Sequence, residues 1–218
     1  MSNKTNKAYK SSTQYYDKVL TQSNFFARLY IKFFWDGADD NKIAETLLSQ
    51  ISDDFSGTLL DVPVGTAVFT HEKYAKLKNA NIICLDYSSD MLEISKSRLE
   101  NCENISLVQG DVANLPMADN SCDIILSMNG FHVFPDTNKA YEEIHRTLKP
   151  QGAFISCFYI KGENKKTDWL VKNILSKKGW FTPPFQTLDD VKSTLEKNYT
   201  KIEIHQDGPM VYFKCENI

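Results

Sequence analysis

The stretch LLDVPVGTA, residues 59–67, decides how the rest of the chain is read. Two leucines of buried type, Leu59 and Leu60, run into a carboxylate, Asp61, and the chain then breaks at Pro63 and Gly65 into a tight turn. A strand that ends in this way is the usual opening of an α/β sheet. In such sheets the ligand lies outside the carboxyl ends of the strands, and a small residue in the first turn lets ligand atoms reach the backbone. Gly65 is therefore the first candidate for ligand contact. A glycine turn after a strand is also an ordinary βα connection, so the flanking segments must carry the argument.

Downstream, Asn81 to Asp86 is a second apolar strand ending in a carboxylate, and a helix begins at Ser88 or Ser89 with Met91, Leu92, Ser95 and Leu99. Ile105, Leu107 and Val108 form a third strand that closes on Gly110 and Asp111, and Ile124 to Leu126 a fourth that runs into Ser127, Met128, Asn129 and Gly130. Thr66 to Lys76 reads as a helix between the first two strands. Asp136 or Thr137 caps a helix with Ala140, Ile144 and Leu148 on one face, which Pro150 and Gly152 end. Ala153 to Tyr159 is a fifth strand, and Trp169, Leu170 and Ile174 predict a helix over a lysine-rich segment. Thr187 with Asp190 has the form of a capping box, ahead of Leu188, Val191 and Leu195. Lys201–His205 and Met210–Lys214 flank Asp207, Gly208 and Pro209 as a hairpin. Alternating strands and helices imply parallel pairing through right-handed crossovers, and the hairpin adds an antiparallel strand. The expected fold is a doubly wound, mostly parallel seven-stranded α/β sheet.

Upstream, Tyr15, Tyr16, Val19 and Leu20, then Phe25, Phe26, Leu29, Tyr30, Phe33 and Phe34, recur at helical spacing. A third helix is expected from Asn41 to Ile51. These aromatic helices either complete the core or roof a pocket. One domain is expected over residues 1–218, with an N-terminal helical lid at 1–52 and the sheet core at 53–218.

Net charge is −3, so the positive field that gathers nucleic acid is missing. The lysines at 161, 165, 166, 172, 177 and 178 are interleaved with Glu163 and Asp168, the pattern of a solvated helix face. Five cysteines, odd in number and without a C-x-x-C pair, predict reduced thiols and a cytoplasmic protein. The polar N-terminus has no signal-peptide pattern, and no apolar run is long enough for a membrane span.

Asp61, Asp86 and Asp111 stand twenty-five residues apart, each where an apolar strand stops. Parallel βα units bring strand ends to one edge, so all three are expected to face one crevice. A carboxylate at the second strand end can accept from ribose hydroxyls and one at the third from an amine, by charge-assisted bonds of about 1.5–3 kcal/mol each. Singly, each aspartate is an ordinary turn former. Together, beside a glycine turn, they point to a nucleoside-like ligand. The four histidines form no metal-binding spacing, and no metal is assigned.

With these positions assembled, the chain resembles the class I S-adenosylmethionine-dependent methyltransferases, small-molecule branch (methyltransferase domain 11-like), which includes the quinone-biosynthesis C-methyltransferases. The segments that carry the likeness are LLDVPVGTA at 59–67, LDYSSDMLEIS at 85–95, QGDVANLPM at 109–117, CDIILSMNGFHVFPD at 122–136 and EEIHRTLKPQGAF at 142–154. The resemblance implies a Rossmann-like sheet and S-adenosylmethionine as cofactor. It implies that Asp61, Gly65 and Ala67 border the methionine part, Asp86 holds the ribose, Tyr87 and Met91 flank the adenine or ribose, and Asp111 and Val112 receive the adenine. Met128 and Asn129 would lie near the sulfonium and the acceptor. The family's first loop usually reads DxGxGxG; here Pro63 and Ala67 replace the first and third glycines, and proline fits only where the turn needs no N–H.

Methyl transfer from a sulfonium demands mainly alignment and water exclusion, with a general base only where the acceptor must lose a proton. His132 and Tyr16 are the base candidates. An Asn/Asp-Pro-Pro-aromatic element, the mark of amine-methylating relatives, is absent after the fourth strand, and neither Cys122 nor Cys157 has the context of a catalytic thiol. The expected partner is a small, partly apolar or aromatic acceptor, and the expected assembly a monomer or homodimer. Two other readings are a cofactor-binding protein without catalysis and a nicotinamide-dependent oxidoreductase.

Overall fold

Leu59 and Leu60 point to opposite sides of one strand, as successive strand residues must, and both are completely buried. A sheet covered on both faces is what parallel strands require. The computed structural model, which describes residues 35–216, contains that sheet. Its strands are β1 (Thr58–Asp61), β2 (Asn81–Asp86), β3 (Ile105–Gln109), β4 (Cys122–Met128), β5 (Leu148–Tyr159), β6 (Lys201–Asp207) and β7 (Met210–Glu216). The order is β3-β2-β1-β4-β5-β7-β6. Leu60 pairs with Ile83 on one side and Ile125 on the other, both parallel, whereas β7 runs antiparallel to β5 and β6. The expected seven-stranded fold with its C-terminal hairpin is what forms.

Among the described residues, seven short to medium helical segments accompany the strands: α1 (Asp40–Ser49), α2 (His71–Tyr74), α3 (Ser89–Arg98), α4 (Thr137–Thr147), α5 (Lys165–Leu170), α6 (Ser176–Lys178) and α7 (Leu188–Asn198). A π-helical turn, Val171–Leu175, joins α5 to α6. Side chains on alternate sheet positions divide into two cores. Leu59, Ile82, Ile124 and Ile155 meet Ile43 and Leu47 of α1 on one face. Leu60, Leu85, Ile125 and Phe154 meet Ile144 of α4 and Val191 and Leu195 of α7 on the other. Local signals hold: Asp136 caps α4 by accepting from the Lys139 N–H, and Thr187 and Asp190 close their capping box.

Two local expectations are corrected. Residues 66–70 are turns, with Gly65 and Ala67 at φ of 54° and 56°, and the helix is confined to α2. A left-handed Ala67 cannot lie inside an α-helix. Pro150 and Gly152 do not separate α4 from the next strand, because β5 begins at Leu148 and Gln151 takes a φ of 64° in an irregular stretch where the β4–β5 register shifts. The two helices expected before residue 35, Tyr16 and most of the expected lid lie outside the described residues.

Candidate functional site

The strand order turns around between β1 and β4, since the chain builds outward through β2 and β3 and then crosses back. Ligand crevices open at the carboxyl edge of such a point. Three hydrogen bonds fold the 62–65 turn across that edge: Val62 N–H donates to the Leu126 carbonyl, Val64 N–H to the Leu85 carbonyl, and Gly65 N–H to Asp86 Oδ2, each at 2.9 Å. Pro63 has no N–H to contribute and none is needed there. Its ring lies against Gly130, where an added Cβ would come within 2.5 Å of Pro63 Cδ. At Gly65 an added Cβ would meet nothing within 4 Å, so space is open beside the turn.

Asp86 is 5% exposed and accepts from Gly65 N–H on one oxygen and from Ser88 N–H, at 2.8 Å, on the other. Each carboxylate oxygen has two lone pairs, so both can still accept from a diol. Burial, opposed by those backbone bonds, pushes its pKa up to about 6. Asp111 follows β3; its Oδ1 accepts from the Ala113 N–H, and the loop beyond is braced by Glu143, which accepts from the Leu115 N–H. Between the two carboxylates runs a crevice walled by Pro63, Tyr87, Val112 and Phe134. It is narrow, with room for about one water. Met91 is buried in the first turn of α3.

Asp61 does not line this crevice. It is buried beneath the turn, where it accepts from the Tyr74 hydroxyl at 2.8 Å. Burial drives its pKa up to about 7, against the opposing Tyr74 bond and with the help of Asp86. The structure therefore brings two of the three strand-end carboxylates to the crevice and sets the third behind it.

At the end of β4, Met128 is buried, and Asn129 takes a φ of 56° while its N–H donates to the Cys157 carbonyl at 2.7 Å. Beside Asn129 lies Asp40, the first residue of α1, which sequence reasoning missed. Its Oδ1 is closed off from solvent without a hydrogen-bond partner. Its pKa is raised to about 7 by burial and by Asp39, with the Asn129 amide pulling the other way and Asp207 adding to the rise. The only sequence signal was the Asp39–Asp40 pair at a helix start, which reads equally well as a cap; Asp39 is indeed the cap.

His132 is buried, stacked on Phe181 with ring centres 4.2 Å apart, and its Nδ1 lies 3.3 Å from the Tyr159 N–H that donates to it. Nδ1 is thus the unprotonated nitrogen, and burial pushes the pKa down to about 3. This is the environment of a packed neutral imidazole. Among the described residues no group of three His, Cys, Asp or Glu side chains is placed to hold a metal, and no helix is long and apolar enough to cross a membrane.

With this geometry in view, residues 60–156 match the family model described as a methyltransferase domain. Over 97 residues the chain is 41% identical to a demethylmenaquinone methyltransferase of Staphylococcus epidermidis, covering 44% of this chain and 40% of that protein. The chain thus spans under half the length of such curated relatives. A solved SAM-dependent methyltransferase of Aquifex aeolicus superposes with a TM-score of 0.62 at 17% identity, covering 80% of this chain and 89% of that one. Phosphoethanolamine N-methyltransferase 2 of Haemonchus contortus, solved with S-adenosyl-L-methionine, superposes with a TM-score of 0.68 at 13% identity, covering 90% and 58%. Sheet order and superpositions give the chain the fold of these solved methyltransferases, and residues 60–156 carry the likeness to the methyltransferase domain.

Proposed function

We propose that the chain binds S-adenosylmethionine at the carboxyl edge of β1–β3 and transfers its methyl group to a small, partly apolar or aromatic acceptor. The observation that carries this reading is the pairing of Asp86 and Asp111 across an apolar-walled crevice, next to a glycine turn with open space beside it. The residues suit the cofactor. Asp86 would receive the ribose hydroxyls and Asp111 the adenine amine, with Tyr87, Met91 and Val112 against the rings. Gly65 and Ala67 would border the methionine part, and Met128 and Asn129 the sulfonium side. When bound, the cofactor supplies an activated methyl group. The protein's share is to align the acceptor and exclude water. Where the acceptor must lose a proton, Asp40 is better suited than His132 to take it, because a pKa near neutrality is what a base at physiological pH needs and His132 is held neutral with Nδ1 engaged.

The quinone-ring substrate named for the staphylococcal relatives favours a quinone-like acceptor. Titration calorimetry with S-adenosylmethionine and S-adenosylhomocysteine tests cofactor binding, with micromolar affinity expected. Binding of a nicotinamide dinucleotide in their place would overturn the proposal. Transfer of radiolabelled methyl to a demethylmenaquinone analogue, against a panel of amines and phenols, then tests the acceptor and separates an enzyme from a cofactor binder without turnover.

A further inference from the structure

The segment from Lys161 to Lys178 carries six lysines against Glu163 and Asp168, in a chain whose net charge is −3. All six lysines are exposed. In their midst is Trp169, 56% exposed and the one large hydrophobic residue left in solvent among the described residues. Every other tryptophan, leucine, isoleucine and phenylalanine described is at least partly covered, so this ring is an exception that the fold's own packing does not explain.

The arrangement is directional. Leu170, Val171 and Leu175 face inward and are buried. Lys165, Trp169 and Lys172 follow at spacings of four and three, one outward stripe of a helix. The π-helical turn at Val171–Leu175 inserts one residue into the helical repeat, so Lys177 comes back towards the stripe of Lys172 after five residues. Asp168, the nearest carboxylate, is turned away from that stripe: its Oδ1 accepts from the Tyr159 hydroxyl at 2.6 Å and its Oδ2 from the Gly162 N–H at 3.0 Å. Glu163, ahead of the helix, accepts from the Gln206 side-chain amide at 2.7 Å, and the outward stripe of the helix itself is left cationic around an indole.

An indole flanked by lysines suits the boundary between lipid headgroups and acyl chains: the ring is apolar with a polar N–H, and lysine stems lie along apolar surface while their heads meet phosphate. We infer that the α5–α6 face docks on an anionic lipid surface, with Trp169 inserted and Lys165, Lys172 and Lys177 over the headgroups. Through Tyr159 and Asp168 this face is tied to the ends of β4 and β5, where Tyr159, Phe181 and His132 pack together. Docking would turn the acceptor side of the molecule towards the membrane. The inference stands on this surface alone and holds or fails whatever the acceptor proves to be.

The test is co-sedimentation of the full chain with vesicles of pure phosphatidylcholine and of phosphatidylcholine mixed equally with phosphatidylglycerol. Binding is expected only to the anionic vesicles, at least tenfold weaker in 0.5 M than in 0.05 M salt, as expected for surface charges beyond about one Debye length. Lys165→Glu/Lys172→Glu should lower the partition coefficient at least tenfold and Trp169→Ala about as much, with unchanged circular dichroism melts. A blue shift of tryptophan emission on binding should vanish in Trp169→Phe. Absence of binding to the anionic vesicles at low salt overturns the inference. So does binding untouched by the Trp169 and lysine changes. Salt-sensitive binding to a DNA oligonucleotide or self-association through this face, without vesicle binding, would assign it to another partner and equally refute a lipid one.

Discussion

Replacing Asp61 by asparagine separates a buried acid's charge from its hydrogen bond. The carboxyl, 1% exposed, has its pKa raised from the ordinary 3.8 to about 7 by burial, with Asp86 adding to the rise. Between those two pH values the folded chain keeps the proton that the unfolded chain has already lost. Stability therefore falls as pH rises through that window and levels off above it. A shift of about three units, at about 1.4 kcal/mol each, corresponds to about 4 kcal/mol. The amide carbonyl of the substituted side chain would still accept from the Tyr74 hydroxyl, less strongly, at a cost of about 1 kcal/mol, and it has no charge to desolvate. The variant should then be about 1 kcal/mol less stable than wild type at pH 4 and about 3 kcal/mol more stable at pH 8. Urea unfolding followed by circular dichroism at pH 4, 6 and 8 gives that difference directly. A gap between the two proteins that stays constant across the range would show that Asp61 is ionised in the folded state, and the reasoning would fail.

Asp86→Ala should weaken S-adenosylmethionine binding by about 1.5–4 kcal/mol and also lower the melting temperature, because Gly65 N–H and Ser88 N–H lose their acceptor; calorimetry and a thermal melt read the two effects separately. Gly130→Ala drives a methyl into Pro63, Phe134 and Ser127, each at 2.7 Å or less, and should cost about 1–3 kcal/mol while displacing the turn, seen as lost stability in urea and lost cofactor affinity together. His132→Ala should cost about 3 kcal/mol in stability from the emptied ring site and the orphaned Tyr159 N–H. The pH–rate profile of the wild type should show no inflection assignable to an imidazole, and an inflection removed by His132→Asn would contradict the packing role.

What the sequence disclosed was what neighbouring residues determine among themselves. The Thr187–Asp190 capping box and the Asp136 cap need only a few residues to form, and the run from Asn81 to Asp86 needs only its own apolar pattern; the structure has all three where the sequence puts them. The failures arise where distant residues decide. Residues 66–70 have a composition a helix would accept, but the turn is pulled across the sheet edge by the Leu126 and Leu85 carbonyls and by Asp86. Pro150 looks like a helix stop, yet an irregular start to β5 accommodates it. The site divides in the same way. Asp86 and Asp111 were legible because strand ends share an edge, whereas the inward turn of Asp61 depends on Tyr74, thirteen residues on, and the burial of Asp40 on its placement against Asn129.

The contact between Pro63 and Gly130 has a consequence for how such a chain can change over time. The proline ring, together with the Phe134 ring and the Ser127 hydroxyl, occupies the volume that any side chain at 130 would need. With Pro63 in place, position 130 is held at glycine. A glycine at position 63 would remove only one of these three obstacles and leave a gap where the ring had been, with Phe134 and Ser127 still closing position 130. Positions 63, 127, 130 and 134 are thus coupled, and a side chain at 130 is admitted only after its neighbours have shrunk. A library randomised at all four sites at once should recover combinations that no single-site library contains.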